Sequence, residues 1–102
     1  MTPEDAIRKI AALCRSGRQV NEEGRTGYRI GKVFIDTGGL QRGVTSCPHC
    51  GALMGMGRIV VRHDDGRNVS FNPRLFHYVE AGHPITSRDV NGKLLVAIMS
   101  DA

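Results

Sequence analysis

Apolar residues recur at helical spacing between Ala6 and Cys14, and this pattern predicts an amphipathic helix at the start of the chain. Thr2 stands before the stretch as a cap, Pro3 occupies the first helical position, and Gly17 ends it. Because Cys14 lies on the apolar stripe, we interpret it as a small buried side chain and not as a ligand.

Segments rich in β-branched and aromatic residues follow a polar stretch, residues 18–26, that is interpreted as a loop. The sequence Asp64-Asp65-Gly66 is typical of a hairpin turn. Residues 51–57 are interpreted as a glycine-rich approach to the next strand. The pattern predicts short strands within residues 28–37, 40–46, 58–62 and 68–71.

The last third of the chain predicts helices. Asn72 caps a helix over residues 74–81 that stops at Gly82. Residues 86–100 are ambiguous, because Asn91-Gly92 either turns a hairpin or places Asn91 as the cap of a helix. We favour the helix, since Leu, Lys, Ala and Met are good helix formers. The whole pattern predicts one α+β domain over residues 1–102, with an N-terminal helix, short antiparallel strands and C-terminal helices.

The composition indicates that this fold would gain stability from a cross-link such as a bound metal. Apolar residues are 40% of the chain but aromatic residues only 5%, so the predicted core is thin for a chain of 102 residues. The N-terminus lacks the pattern of a secretory signal, and three Cys argue against a scaffold of disulfides. We therefore expect a cytoplasmic protein, where a Cys-x-x-Cys pair is more often a metal or redox motif than a disulfide.

The strongest chemical signal is Cys47-Pro48-His49-Cys50-Gly51. Two thiolates at this spacing fit a tight turn, and a glycine after the second Cys tolerates the left-handed backbone that such a turn needs. A structural Zn²⁺ site takes four Cys or His ligands in a tetrahedron, so this motif is half of a site. A thioredoxin-like redox site is the less favoured alternative, because glycines and a hairpin follow the motif instead of a helix.

Histidines are expected to supply the other half of the site, with His77 and His83 as the preferred pair. On an uninterrupted helix these two positions would face different ways, but a chain that turns at Gly82 can bring His83 back beside His77. His63 is the main substitute for either ligand. His49, inside the motif, is not expected to reach the same ion as Cys47 and Cys50 and is a candidate for contact with a partner.

The run Cys47-Pro48-His49-Cys50-Gly51 resembles the C-P-x-C-G knuckle of small zinc-ribbon and treble-clef zinc-finger proteins. The resemblance covers five residues and recurs across unrelated functions. It implies a metal site and no particular activity.

A full set of four ligands leaves no position for a reactive water, which predicts a non-catalytic binding or regulatory protein. The net charge of +4 predicts a protein or nucleic-acid partner. The alternative is a small zinc-dependent hydrolase or nuclease, for which His63-Asp64-Asp65 is the only cluster of an acid and a histidine. The candidate partner-binding residues are Arg8, Arg15, Arg18, Arg58 and Arg62.

Overall fold

The first helix forms as its capping sequence predicts. In the computed structural model, which describes residues 1–102 with the exception of the Arg42 side chain, α1 spans Pro3–Ser16. The Asp5 amide donates to Thr2 Oγ1 (3.1 Å), and the Thr2 amide donates to Asp5 Oδ2 (3.2 Å). These reciprocal bonds satisfy two amides that a helix N-terminus leaves without intrahelical partners.

Seven strands follow α1 and form two antiparallel sheets. The larger sheet has the strand order β1-β2-β3-β6-β7, and β4 pairs with β5 in a separate two-stranded hairpin. The strands are β1 (Val20–Glu22), β2 (Arg25–Ile30), β3 (Val33–Asp36), β4 (Leu40–Ser46), β5 (Leu53–Gly57), β6 (Ile59–His63) and β7 (Asn68–Phe71). Two helices complete the chain, α2 (Arg74–Ala81) and α3 (Gly92–Ser100).

One face of the five-stranded sheet packs against the three helices. In β6 and β7 the buried residues alternate with less buried ones, as expected when only one face of a strand is covered by helices. Ile35 of β3, the central strand, lies opposite Val61 of β6 in the register and has no exposed surface. The helices contribute their apolar sides to the same core, which places α1, α2 and α3 in a second layer.

The α+β class predicted from the sequence is confirmed, with helices at both ends and antiparallel strands between them. The segment over residues 86–100 contains the favoured helix, α3, and the Asn91 side chain accepts a hydrogen bond from the Leu94 amide (3.2 Å). The knuckle lies at the turn of the small β4–β5 hairpin, which is not part of the five-stranded sheet.

Two predictions about loops are wrong. Residues 18–26 were expected to be a loop, but they contain β1 and the start of β2, joined by a turn at Glu23-Gly24. Residues 51–57, expected as a glycine-rich approach to the next strand, themselves contain the strand β5. Both strands are polar or glycine-rich and pair with a neighbour through backbone hydrogen bonds, which require no apolar alternation.

Candidate metal centre

The first half of the candidate metal centre is the turn between β4 and β5. The Gly51 amide donates to the Cys47 carbonyl (2.8 Å), and the Cys47 amide donates to the Ala52 carbonyl (2.8 Å). Gly51 has φ +75°, a conformation that L side chains rarely adopt. The turn therefore depends on glycine at this position, as the motif predicts.

The same turn favours the thiolate form of Cys47. Burial raises the pKa of the Cys47 thiol, but hydrogen bonds from the amides of His49 and Cys50 and from the Cys50 side chain outweigh it. The net effect is a pKa below the usual value for cysteine. Since a thiolate is the form that binds a metal, the local backbone prepares Cys47 for this role.

The second half of the centre comes from the end of α2. Gly82 has φ +78°, the His83 amide donates to the Tyr78 carbonyl (2.8 Å), and the Gly82 amide donates to the Val79 carbonyl (3.4 Å). These two bonds define a Schellman motif, which reverses the chain at the end of a helix. The reversal brings the His83 ring to 5.4 Å from the His77 ring, measured between centroids.

The four predicted ligands converge across these two elements. One donor atom from each of Cys47, Cys50, His77 and His83 lies within 4.8 Å of all the others, and Cys50 Sγ is 3.2 Å from His77 Nε2. A tetrahedral zinc site separates its donor atoms by about 3.3 to 3.8 Å, given Zn–S near 2.3 Å and Zn–N near 2.0 Å. The group is therefore close enough to hold a metal ion, and metal binding by these residues stays a prediction.

The chemistry of His83 fits the same role. Its Nε2 atom is buried and has no hydrogen-bond partner among the described atoms. Burial, followed by the neighbouring His49 and His77 rings, lowers the pKa of His83 below its usual value. The neutral imidazole that results has a free lone pair, which is what a metal requires of a histidine.

The remaining two histidines lie outside this set of donors. The His49 ring packs on His83, with 4.7 Å between centroids, and edge-on to Tyr78 at 5.3 Å. Its expected contact with a partner stays a prediction. His63, the proposed substitute ligand, has a side chain only 7% exposed, with Nδ1 3.1 Å from Asp65 and Nε2 3.5 Å from Asp101.

Three of the five candidate partner-binding arginines belong to α1 and the loop after it. Arg8 contacts Asp5 (3.2 Å) and Arg15 contacts Glu80 of α2 (3.5 Å), both as exposed ion pairs. Arg18 follows the helix and is exposed.

The other two arginines lie in different places. Arg58 precedes β6 and lines a cavity between the β4–β5 hairpin and the start of α2. Ile59 and Val61 point into the core, so the alternation of β6 directs Arg62 to the sheet face away from the helices. There Arg62 Nε donates to Asp36 Oδ2 (3.2 Å). The five arginines therefore do not form one surface, and their role in partner binding stays a prediction.

The hairpin also presents apolar side chains that the sequence reasoning did not select. Leu40, Val44 and Leu53 are 46%, 62% and 70% exposed. The register places all three on one face of the hairpin, since Val44 and Leu40 lie opposite Gly55 and Gly57, and Leu53 opposite Ser46. The sequence did contain an indication of this exposed face, because apolar residues of β4 lie opposite glycines of β5, which have no side chain to cover them.

Comparisons of the chain with known protein families, with curated proteins and with solved structures give no match. Among the helices that the structure describes, none combines the length and apolar character needed to span a membrane. The fold and the site define an α+β protein with a Cys2His2 group close enough to bind a metal ion.

Proposed function

We propose that this protein is a non-catalytic binding module whose fold is stabilised by one Zn²⁺ ion bound to Cys47, Cys50, His77 and His83. The observation that carries the proposal is the convergence of these four donors within 4.8 Å. Two thiolates and two imidazoles in a tetrahedral arrangement are the donor set that zinc prefers. When bound, the ion would supply a cross-link between the β4–β5 turn and the end of α2.

A structural role is favoured over a catalytic one because four protein ligands complete a tetrahedron. A zinc hydrolase or nuclease keeps three protein ligands and an open position for water. Cys47 is buried, as is Nε2 of His83, so two of the four donors have little access to a substrate. The His63 side chain, the other candidate for an enzymatic role, is only 7% exposed, and its Nδ1 accepts a hydrogen bond from the Asp65 amide.

We propose that the partner is a protein and not a nucleic acid. Binding of this partner would be the regulatory role of the module. Arg8 and Arg15 lie on α1, whereas Arg62 lies on the sheet face away from the helices. This arrangement does not suit a phosphate backbone, which is usually met by a continuous basic face. A site that depends on two thiolates suits a reducing compartment, and we propose the cytoplasm as the location.

Metal analysis of protein purified without added zinc tests the proposal. We expect about one zinc per chain, the stoichiometry of a single four-ligand site. The Cys47→Ser variant is expected to lose the metal and to melt at a clearly lower temperature, because structural zinc contributes apparent binding energies of about 10 to 16 kcal/mol in small zinc peptides.

Cys14→Ser is the matched control, since Cys14 is half-buried on α1 and outside the group of donors. It should keep the full zinc content and most of the stability. A zinc content near zero in the unmodified protein, or equal metal content in the two serine variants, would contradict the proposal.

A further inference from the structure

An open apolar groove lies between α1 and α2, outside the candidate metal centre. Its volume is about 540 Å³, and its floor is formed by Ile7, Ala11, Cys14, Phe76 and Val79. Ala11 is partly exposed, and so are Cys14 and Phe76, although these two pack beside the core. Each of the two helices therefore has apolar surface that the fold itself does not cover.

The groove continues onto the β4–β5 hairpin. A second cavity of about 460 Å³ lies between the hairpin and α2, where it is lined by Leu40, Leu53 and Pro73. Both cavities include Phe76 and Glu80 in their walls, so they meet along one side of α2. Together they form one surface, which we name the α1–hairpin groove.

The charges on the rim of the α1–hairpin groove indicate the chemistry of its partner. Arg8 and Arg15 line its α1 side, and their side chains are 60% and 69% exposed. They are separated by seven positions, which is two helical turns or about 10.5 Å along the axis. Their present partners, Asp5 and Glu80, are exposed carboxylates at 3.2 and 3.5 Å, and such exposed pairs contribute little and exchange readily.

We propose that the α1–hairpin groove binds an amphipathic helix of a partner protein, with its apolar side on the groove floor and carboxylates two turns apart facing Arg8 and Arg15. A helix packed against two others is a stable arrangement, and helix-in-groove binding uses apolar anchors at helical spacing. This inference rests on the proposed function, because it names the surface and the partner of that binding module.

The charges argue against the other occupants. A second copy docking by the same groove around a two-fold axis would bring Arg8 and Arg15 near their own counterparts, which is unfavourable for like charges. A nucleic acid would place its phosphates against an apolar floor that offers them no hydrogen-bond donors. An acidic amphipathic helix satisfies both the floor and the rim.

Selection from a display library of helical peptides tests the inference. The library has fixed apolar positions at helical spacing and random residues on both flanks, and it is selected against the zinc-containing full chain. We expect the selected peptides to be enriched in Asp and Glu, and selection against an Arg8→Glu/Arg15→Glu variant to enrich Lys and Arg instead. An Arg25→Glu/Lys32→Glu variant has the same change of charge at two exposed positions that line neither cavity of the groove, and it should select acidic peptides like the unmodified protein.

A pair of neighbouring alanines on α1 supplies the steric control. Ala11→Gln places a longer side chain on the groove floor, whereas Ala12→Gln adds it at an exposed position of the same helix. For a selected acidic peptide we expect Ala11→Gln to weaken binding at least about tenfold, as measured by fluorescence anisotropy, and Ala12→Gln to leave the Kd unchanged.

The inference is overturned if the peptides carry no acidic excess, if none binds, or if Ala11→Gln and Ala12→Gln behave alike. It is also overturned if the protein sediments as a dimer that Ala11→Gln dissociates, since the occupant is then a second copy. Zinc content measured on the same sample separates the two proposals. If the protein contains its full zinc but binds no peptide, only the groove proposal is rejected. If acidic peptides bind a protein that contains no zinc, only the zinc site is rejected.

Discussion

Gly82 is the residue on which the second half of the candidate metal centre depends. It ends α2 in the left-handed conformation and turns the chain so that His83 lies beside His77. An added Cβ at Gly82 would meet no atom within 4 Å, so the cost of a side chain here arises from the backbone conformation alone. The effect of this residue on metal binding can therefore be separated from packing.

Gly82→Ala is expected to weaken zinc binding roughly fivefold, the equivalent of about 1 kcal/mol for holding alanine in the left-handed region. The reason is that the metal-free chain can relax away from this conformation, whereas the zinc-bound chain must keep it. Competition with a chelator of known affinity measures the change.

Gly24→Ala is the matched control for this variant. Gly24 has φ +79° against +78° for Gly82, an added Cβ there also meets nothing within 4 Å, and it lies in the β1–β2 turn. Both variants should lose a similar amount of stability when saturated with zinc, but only Gly82→Ala should lose affinity. Equal zinc affinities for the two variants would show that the helix end does not position His83.

At the scale of elements, the β4–β5 hairpin stands apart from the rest of the β-structure. It forms its own two-stranded sheet, and its buried side chains include Met54 and Cys47, whereas Leu40, Val44 and Leu53 are exposed. So little burial gives a two-stranded hairpin only marginal stability of its own. A metal bound between its turn and α2 would therefore hold the hairpin in place.

Removal of zinc with EDTA is expected to release the hairpin before the larger sheet. Amides in the pairing of β4 with β5, such as those of Thr45 and Met54, should exchange with solvent faster, while amides of β3 and β6 keep most of their protection. Hydrogen exchange followed by NMR measures this, and added zinc should restore the protection. Simultaneous loss of protection in both sheets would mean that the metal supports the whole fold.

The whole molecule is held together by a core that the five-stranded sheet shares with the three helices. Ile35 occupies the central strand of that sheet, Ile10 comes from α1 and Leu95 from α3, and none of these three side chains is exposed. Burial of such side chains is the main favourable contribution to folding. We expect this core to persist without the metal, although Cys47 and Met54 belong to the same buried cluster.

Ile35→Ala is expected to lower the free energy of unfolding by about 2 to 5 kcal/mol in the zinc-saturated protein, because it leaves a cavity at the centre of the core. Ile35→Val should cost about 0.5 to 1.5 kcal/mol. Val44→Ala, at a residue that is 62% exposed, should change the stability by no more than about 0.5 kcal/mol. Urea unfolding measures all three, and a loss at Val44 as large as that at Ile35 would contradict the placement of the core.

The helix starts were predicted correctly from residues that act on backbone groups only a few positions away. Thr2 and Asp5 cap α1 through bonds between positions three apart, and Asn91 caps α3 in the same way, so the sequence alone predicts both helix starts. The strand β1 was missed because Val20–Glu22 is short and polar and is defined by its pairing with β2. Pairing depends on a partner strand, which periodicity within one segment cannot indicate.

The sequence by itself determined the types of donor and the turns that present them, because Gly51 and Gly82 act on the backbone immediately beside Cys50 and His83. Only the tertiary structure decided that Cys50 and His77, 27 positions apart, lie 3.2 Å from each other. It also decided that Arg8 and Arg15 rim an apolar groove while Arg62 faces the other way. Local backbone preferences act over three or four residues, whereas these placements follow from how the helices and sheet bury one core.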